Sequence, residues 1–119
     1  MGNELSFISK SNKFPYYCEF AYLGKAFSIE KWFEDREYLN HFILTNDDVN
    51  YIIIELTLET LEEFKKDAQA GKFGNFHEID FVKCASLSIK ALNNGNRIFY
   101  IIDCPYDIGA CENEPILSK

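Results

Sequence analysis

Short apolar runs alternate with polar breaks along this chain, and their spacing changes from two residues to about three and a half. Glu4–Ser9 places Leu5 and Phe7 on one side of an extended segment, and the aromatic stretch Phe14–Tyr22 reads as a second strand. Lys10-Ser11-Asn12-Lys13 between them has turn composition, so the two predict a hairpin. Ser28 is a candidate N-cap. Behind it Ile29, Trp32 and Phe33 recur at helical spacing, and Leu39, Phe42 and Ile43 extend the apolar side, which predicts a helix over about 28–42. Thr45-Asn46-Asp47-Asp48 follows as a loop.

Tyr51–Leu56 is a compact Ile-rich strand expected at the centre of a sheet. Thr57 or Thr60 opens a second helix with Leu58, Leu61, Phe64 and Ala68 as its buried stripe. Gly71 is placed to end it and Phe73 to pack back on it. Phe76–Val82 reads as a strand. In Lys83–Leu92, Leu87, Ile89 and Ala91 alternate with Ser86, Ser88 and Lys90, which favours a strand that turns at Asn94-Gly95 into Arg97–Asp103. The rival is a helix capped by Gly95. The tail 104–119 reads as extended or frayed. The order predicts an α+β fold: a mainly antiparallel sheet of about five strands with two helices packed on one face. Tyr51–Leu56 and Arg97–Asp103 are expected side by side near its centre.

At 119 residues the chain has the length of one domain, 1–119, and is too short for a (β/α)8 barrel of roughly 250 residues. Its charge changes the picture more. Of the net −7, residues 27–63 carry −8, against +1 for 1–26 and zero for 64–119. Such a block repels phosphate, so direct binding to nucleic acid or to an anionic membrane is disfavoured and a basic protein partner is favoured. The contact candidates are Glu30, Trp32, Glu34, Asp35, Glu37, Tyr38, Asp47, Asp48, Glu59, Glu62 and Glu63, the acids for steering and the aromatics as anchors. The competing explanation is a solvated face that aids solubility.

Phe, Ile, Asn, Lys and Tyr supply 51 residues against 18 for Gly, Ala, Arg and Pro. That bias suits an AT-rich genome such as that of a phage or mobile element. No basic segment followed by an apolar run opens the chain, so a cytoplasmic setting with Cys18, Cys84, Cys104 and Cys111 as free thiols is expected.

Catalytic templates find little. There is no G-x-G-x-x-G, P-loop, H-E-x-x-H or G-x-S-x-G. No cysteine pair has the spacing of a zinc site, and Asp47-Asp48 lacks that of a calcium loop, so no metal or other cofactor is expected. A thiol nucleophile would need an imidazole beside it, and Cys104 with His77 is the candidate pair. The residues therefore point first to a non-enzymatic protein that binds and neutralises a basic partner, in the manner of inhibitor or immunity proteins that act on nucleases. A small cysteine enzyme and an oligomerising subunit, in the simplest case a homodimer, are the alternatives.

Overall fold

Five strands pair antiparallel throughout, three helices accompany them, and a three-residue strand adds to one edge. The structure is a computed structural model that describes residues 3–11, 17–74 and 79–105 and the backbone of 116–118. The strands are β1 (Leu5–Lys10), β2 (Tyr17–Gly24), β3 (His41–Asn46), β4 (Val49–Leu56), β5 (Arg97–Ile102) and β6 (Ile116–Ser118), in the order β2-β1-β5-β4-β3-β6. The helices are α1 (Phe27–Glu34), α2 (Leu58–Gln69) and α3 (Phe81–Asn93), with α2 and α3 packed on each other and against the sheet. No helix among the described residues is long and apolar enough to cross a membrane.

The central position of β5 follows from its sequence. Ile98, Phe99, Tyr100 and Ile101 are all buried, so both faces of the strand are covered. Alternation then sorts the core. Phe7, Ile54, Leu56, Ile98 and Tyr100 point to the helices, where Trp32, Phe33, Phe64, Phe73 and Phe81 meet them. Ile8, Ile53, Phe99 and Ile101 form a second cluster with Tyr17 and Leu44. The expected neighbours Tyr51–Leu56 and Arg97–Asp103 do pair, with Ile54 opposite Tyr100.

α2 forms as its sequence predicts. The Thr57 hydroxyl accepts from the Thr60 N–H at 3.2 Å. At the other end the Lys72 N–H reaches the Asp67 carbonyl and the Gly71 N–H that of Ala68, with Gly71 at φ +76°. This paired closure needs a left-handed residue, and glycine takes that conformation without strain.

Several expectations are corrected. The first helix ends at Glu34, well short of residue 42, and His41–Asn46 is a strand. Phe42-Ile43-Leu44 is a continuous apolar run that periodicity assigns equally to either element, and a strand lets Phe42 and Leu44 reach the second cluster. Ala26, not Ser28, precedes the helix, and the Ser28 hydroxyl instead donates to the Phe73 carbonyl at 3.1 Å. The loop expected at 45–48 shrinks to Asp47-Asp48, a two-residue hairpin turn. Both residues have positive φ, which aspartate tolerates better than most side chains.

The largest correction is α3. Lys83–Leu92 is helical, so the strand reading fails, and Ile79–Val82 supplies no strand either. Residues 76–78 and the tail from 106 to 115 lie outside the described residues, as does the predicted turn from Asn12. The Asp80 carboxylate caps α3 through the Lys83 N–H at 2.9 Å, and Gly95 closes its far end. The buried positions Phe81, Ala85, Ser88 and Ala91 have helical spacing. Ser88 is fully buried because its hydroxyl donates to the Cys84 carbonyl one turn back, at 2.7 Å. A serine counted as polar was therefore a core residue, and Leu87, counted as core, is 46% exposed.

Candidate functional site

Helix α1, the turn after it and the adjoining rows of the sheet line an open pocket of about 300 Å³. Its aliphatic lining is Ile54 of β4, Ile102 of β5 and Ile52, itself 64% exposed. Phe33 and Tyr100 form one wall, with their rings stacked at 3.8 Å and 16°. Glu30 and Glu34 stand on α1, Glu37 follows in the turn, and His41 begins β3. Sheet register places these parts. Phe7, Tyr100, Ile54 and His41 occupy one row across β1, β5, β4 and β3, which runs from the buried core outward to the exposed imidazole.

The rim is acidic and largely unpaired. Glu30 accepts from the Asn3 amide at 2.8 Å. Neither Glu34 nor Glu37 makes an ion pair or a side-chain hydrogen bond among the described residues. Glu30 and Glu34 are four apart on one helix face, an arrangement that destabilises by about 0.2–0.5 kcal/mol when the charges are alike. The His41 Nδ1 lies 2.7 Å from the Leu39 carbonyl, and a carbonyl only accepts, so Nδ1 carries the proton and Nε2 is left toward solvent.

Tyr100 is the unusual member. It is 3% exposed, and its hydroxyl has no hydrogen-bond partner among the described residues. Burial, reinforced by the carboxylates of Glu30 and Glu34, pushes its phenol far above the ordinary value of 10, so it stays neutral and keeps both its proton and its acceptor lone pairs.

The remaining predicted contact residues divide by what holds them. Trp32 is 7% exposed. Its indole N–H donates to Asp67 at 2.7 Å, and the Arg36 guanidinium lies 3.5 Å over its ring, so it is an element of the core rather than a free anchor. Arg36 also pairs with Glu63, and its Nη1 donates to the Trp32 carbonyl at the end of α1. Asp67 takes Lys72 at 3.3 Å as well. The Trp32 bond and the two cations hold the Asp67 carboxyl below the usual carboxylate range despite partial burial. Asp35 pairs loosely with Lys31, both well exposed. Tyr38 is 75% exposed, Glu59 and Glu62 lie on the outer side of α2, and Asp47 and Asp48 form the hairpin tip.

The structure thus brings together Glu30, Glu34 and Glu37, and adds Phe33, His41, Ile52 and Tyr100, none of which the sequence placed among the contact candidates. A hydroxyl in the otherwise apolar run Ile98–Ile102 was the available signal for Tyr100. Cys104 packs against the second cluster, away from this pocket, and His77 lies outside the described residues. Among the described residues no group of three His, Cys, Asp or Glu side chains is placed to hold a metal ion. Neither Cys84 nor Cys104 is in a disulfide, and burial pushes the Cys84 thiol upward. Cys18 is disulfide-bonded, which corrects the expectation of four free thiols. No known protein family, curated protein or solved structure matches the chain.

Proposed function

We propose that this is a non-enzymatic binding protein that engages and neutralises a basic partner protein, of the nuclease or nucleic-acid-effector kind, through the face built by α1 and the turn after it. The observation that carries the reading is the convergence of three glutamates on one largely apolar pocket whose lining, among the described residues, holds no lysine or arginine. Elsewhere in the acidic block the chain supplies the cation itself, as at Asp35, Glu55 and Glu63. Unpaired carboxylates around an apolar lining combine long-range attraction for a basic surface with an apolar place for its side chain. The sequence favours a cytoplasmic setting for this encounter. The Cys18 bridge argues for an oxidising one, or for a bridge that opens in the cell.

The test is kinetic. A partner captured from the native host should associate at a rate that falls with added salt, while dissociation changes less. Reversing Glu34, Asp35 and Glu37 to Lys should slow association by about tenfold or more. The control reversal uses Lys65, Lys66 and Lys90, because Lys72 is held against Asp67. Equal effects from the two triples, or an association rate indifferent to salt, would reduce the acidic face to a solubilising surface.

A further inference from the structure

We infer that the pocket beside α1 receives the guanidinium of a single arginine side chain presented by the partner, with the Tyr100 hydroxyl as its innermost hydrogen-bonding contact. The inference rests on the partner reading above and adds the chemical identity of the anchor. Two independent observations point to a ligand. The first is the charge pattern: three carboxylates at the rim, two of them without partners among the described residues. The second is Tyr100, a residue of the same lining, whose buried hydroxyl has no hydrogen-bond partner among the described residues. Tyr17 carries the other such hydroxyl but does not line this pocket; at Tyr100 the unsatisfied group, a liability that phenylalanine would remove, adjoins a pocket lined by three carboxylates, and that conjunction is what points to an occupant.

The shape of the pocket narrows the occupant. About 300 Å³ lies at the bottom of the range of small-molecule sites and suits one side chain. Three carboxylates exclude an anion. A hard divalent ion wants oxygen ligands all round, and an isoleucine lining cannot give them. A cation on an aliphatic stem fits both halves: methylenes against Ile52 and Ile54, charge toward the glutamates. Between the two natural choices, arginine carries five donors in a planar fork and is more weakly hydrated, whereas the compact lysine ammonium holds its water more tightly. Carboxylates on α1 and in the turn, plus a phenol oxygen from the sheet, offer several separated acceptors, which match a fork better than a point charge.

The test titrates the full chain with Nα-acetyl-arginine methylamide, observed through its isoleucine methyl resonances. The lysine counterpart and the uncharged citrulline counterpart serve as comparisons. Saturable shifts are expected at Ile52, Ile54 and Ile102 with a Kd of about 1 mM, several-fold weaker for lysine and absent for citrulline. Glu34→Gln with Glu37→Gln, and separately Tyr100→Phe, should each weaken arginine by about fivefold or more while leaving the methyl spectrum of the free protein folded. Shifts that citrulline reproduces, shifts confined to residues outside the pocket, or a Tyr100→Phe protein that binds arginine as well as the wild type would each overturn the inference. If the probe fails while partner association still slows with salt and charge reversal, the anchor is wrong and the partner reading stands. If the probe binds while association ignores salt, the partner's side chain is overturned as the source of the guanidinium.

Discussion

Replacing Tyr100 by Phe removes one buried oxygen beside the pocket and leaves the ring stacked on Phe33. For an ordinary buried tyrosine that change forfeits a hydrogen bond and costs about 1 kcal/mol. Here the hydroxyl is sealed from solvent and has no partner among the described residues, and an unsatisfied buried hydroxyl costs about 1–3 kcal/mol. The expected sign is therefore reversed, with the variant more stable by about 1–3 kcal/mol. A chain of this length unfolds with an entropy that converts 1 kcal/mol into about 4 °C, so the melting temperature should rise by about 4–12 °C. Alkaline pH offers a second readout. Tyrosine in the unfolded chain ionises near pH 10, whereas folded Tyr100 keeps its proton well beyond that, so this group draws stability down as pH rises above about 10. Tyr100→Phe should flatten that part of the alkaline limb. Urea titrations of both proteins at pH 7 and pH 10.5 make the measurement. A variant less stable than wild type by about 0.5 kcal/mol or more at pH 7 would show that the hydroxyl is structurally bonded, and the case for an occupant would lose its second support.

Phe64 is fully buried among Phe7, Trp32, Phe33 and Phe73, so Phe64→Ala should cost about 3–5 kcal/mol in denaturant titration; less than about 1 kcal/mol would refute the packing of α2. The Asp67 carboxyl is lowered by the Trp32 indole, Lys72 and Arg36. Its contribution to stability is thus complete above about pH 4 and drains as pH falls through its native value; Asp67→Asn should flatten the acid limb. Burial raises the Tyr17 phenol to about 12, so a spectrophotometric titration should leave Tyr17 and Tyr100 silent as pH rises through about 10. Alkylation in denaturant without reductant should label Cys84 and Cys104 and leave Cys18 blocked, and label on Cys18 would show that the bridge is absent in the purified protein.

The elements legible in the sequence are those in which local and tertiary demands agree. α2 has a capping threonine, an apolar stripe and a terminal glycine that serve the same helix whether or not the rest of the chain is present. α3 was hidden because serine is ambiguous. At position 88 its hydroxyl is satisfied within the helix, so it packs as a small core residue while scoring as polar. β3 was absorbed into the preceding helix because Phe42-Ile43-Leu44 carries no period, and its place is decided by β4, against which it pairs. The pocket shows a similar division. Glu30, Glu34 and Glu37 were readable as charge near one helix. Their convergence on Tyr100, a residue far along the chain, depends on sheet register that no local pattern encodes. Trp32 looked like an exposed anchor because it lies amid acids. One of its neighbours, Arg36, folds back over it and turns it into core.

The acidic block, which in the sequence is a single run of charge, is in the structure two populations with different physics. Glu63, together with Asp67 just beyond the block, joins α1 to α2 through Arg36 and the Trp32 indole, and Glu55 joins β4 to β5 through Arg97 with two hydrogen bonds of 2.8 and 2.9 Å. Those acids are accounted for by the fold, and reversing them would damage it. Glu34 and Glu37 do nothing for the fold that the structure displays, and Glu34 sits one turn from a like charge. Tyr100 adds a buried hydroxyl beneath them. A domain stabilised by only about 5–15 kcal/mol can carry a few such features, but each is a position where a simpler side chain gives a more stable free protein. One cation inserted among them would relieve the carboxylate repulsion and satisfy the hydroxyl at once. The two groups should therefore behave as a coupled pair. Neutralising Glu34 and Glu37, or removing the Tyr100 oxygen, should each stabilise the free protein and weaken arginine. The double change should weaken arginine by less than the product of the two, because the second substitution acts on a pocket already deprived of its ligand. Independent, fully multiplicative effects would mean that the carboxylates and the phenol do not meet the same guanidinium.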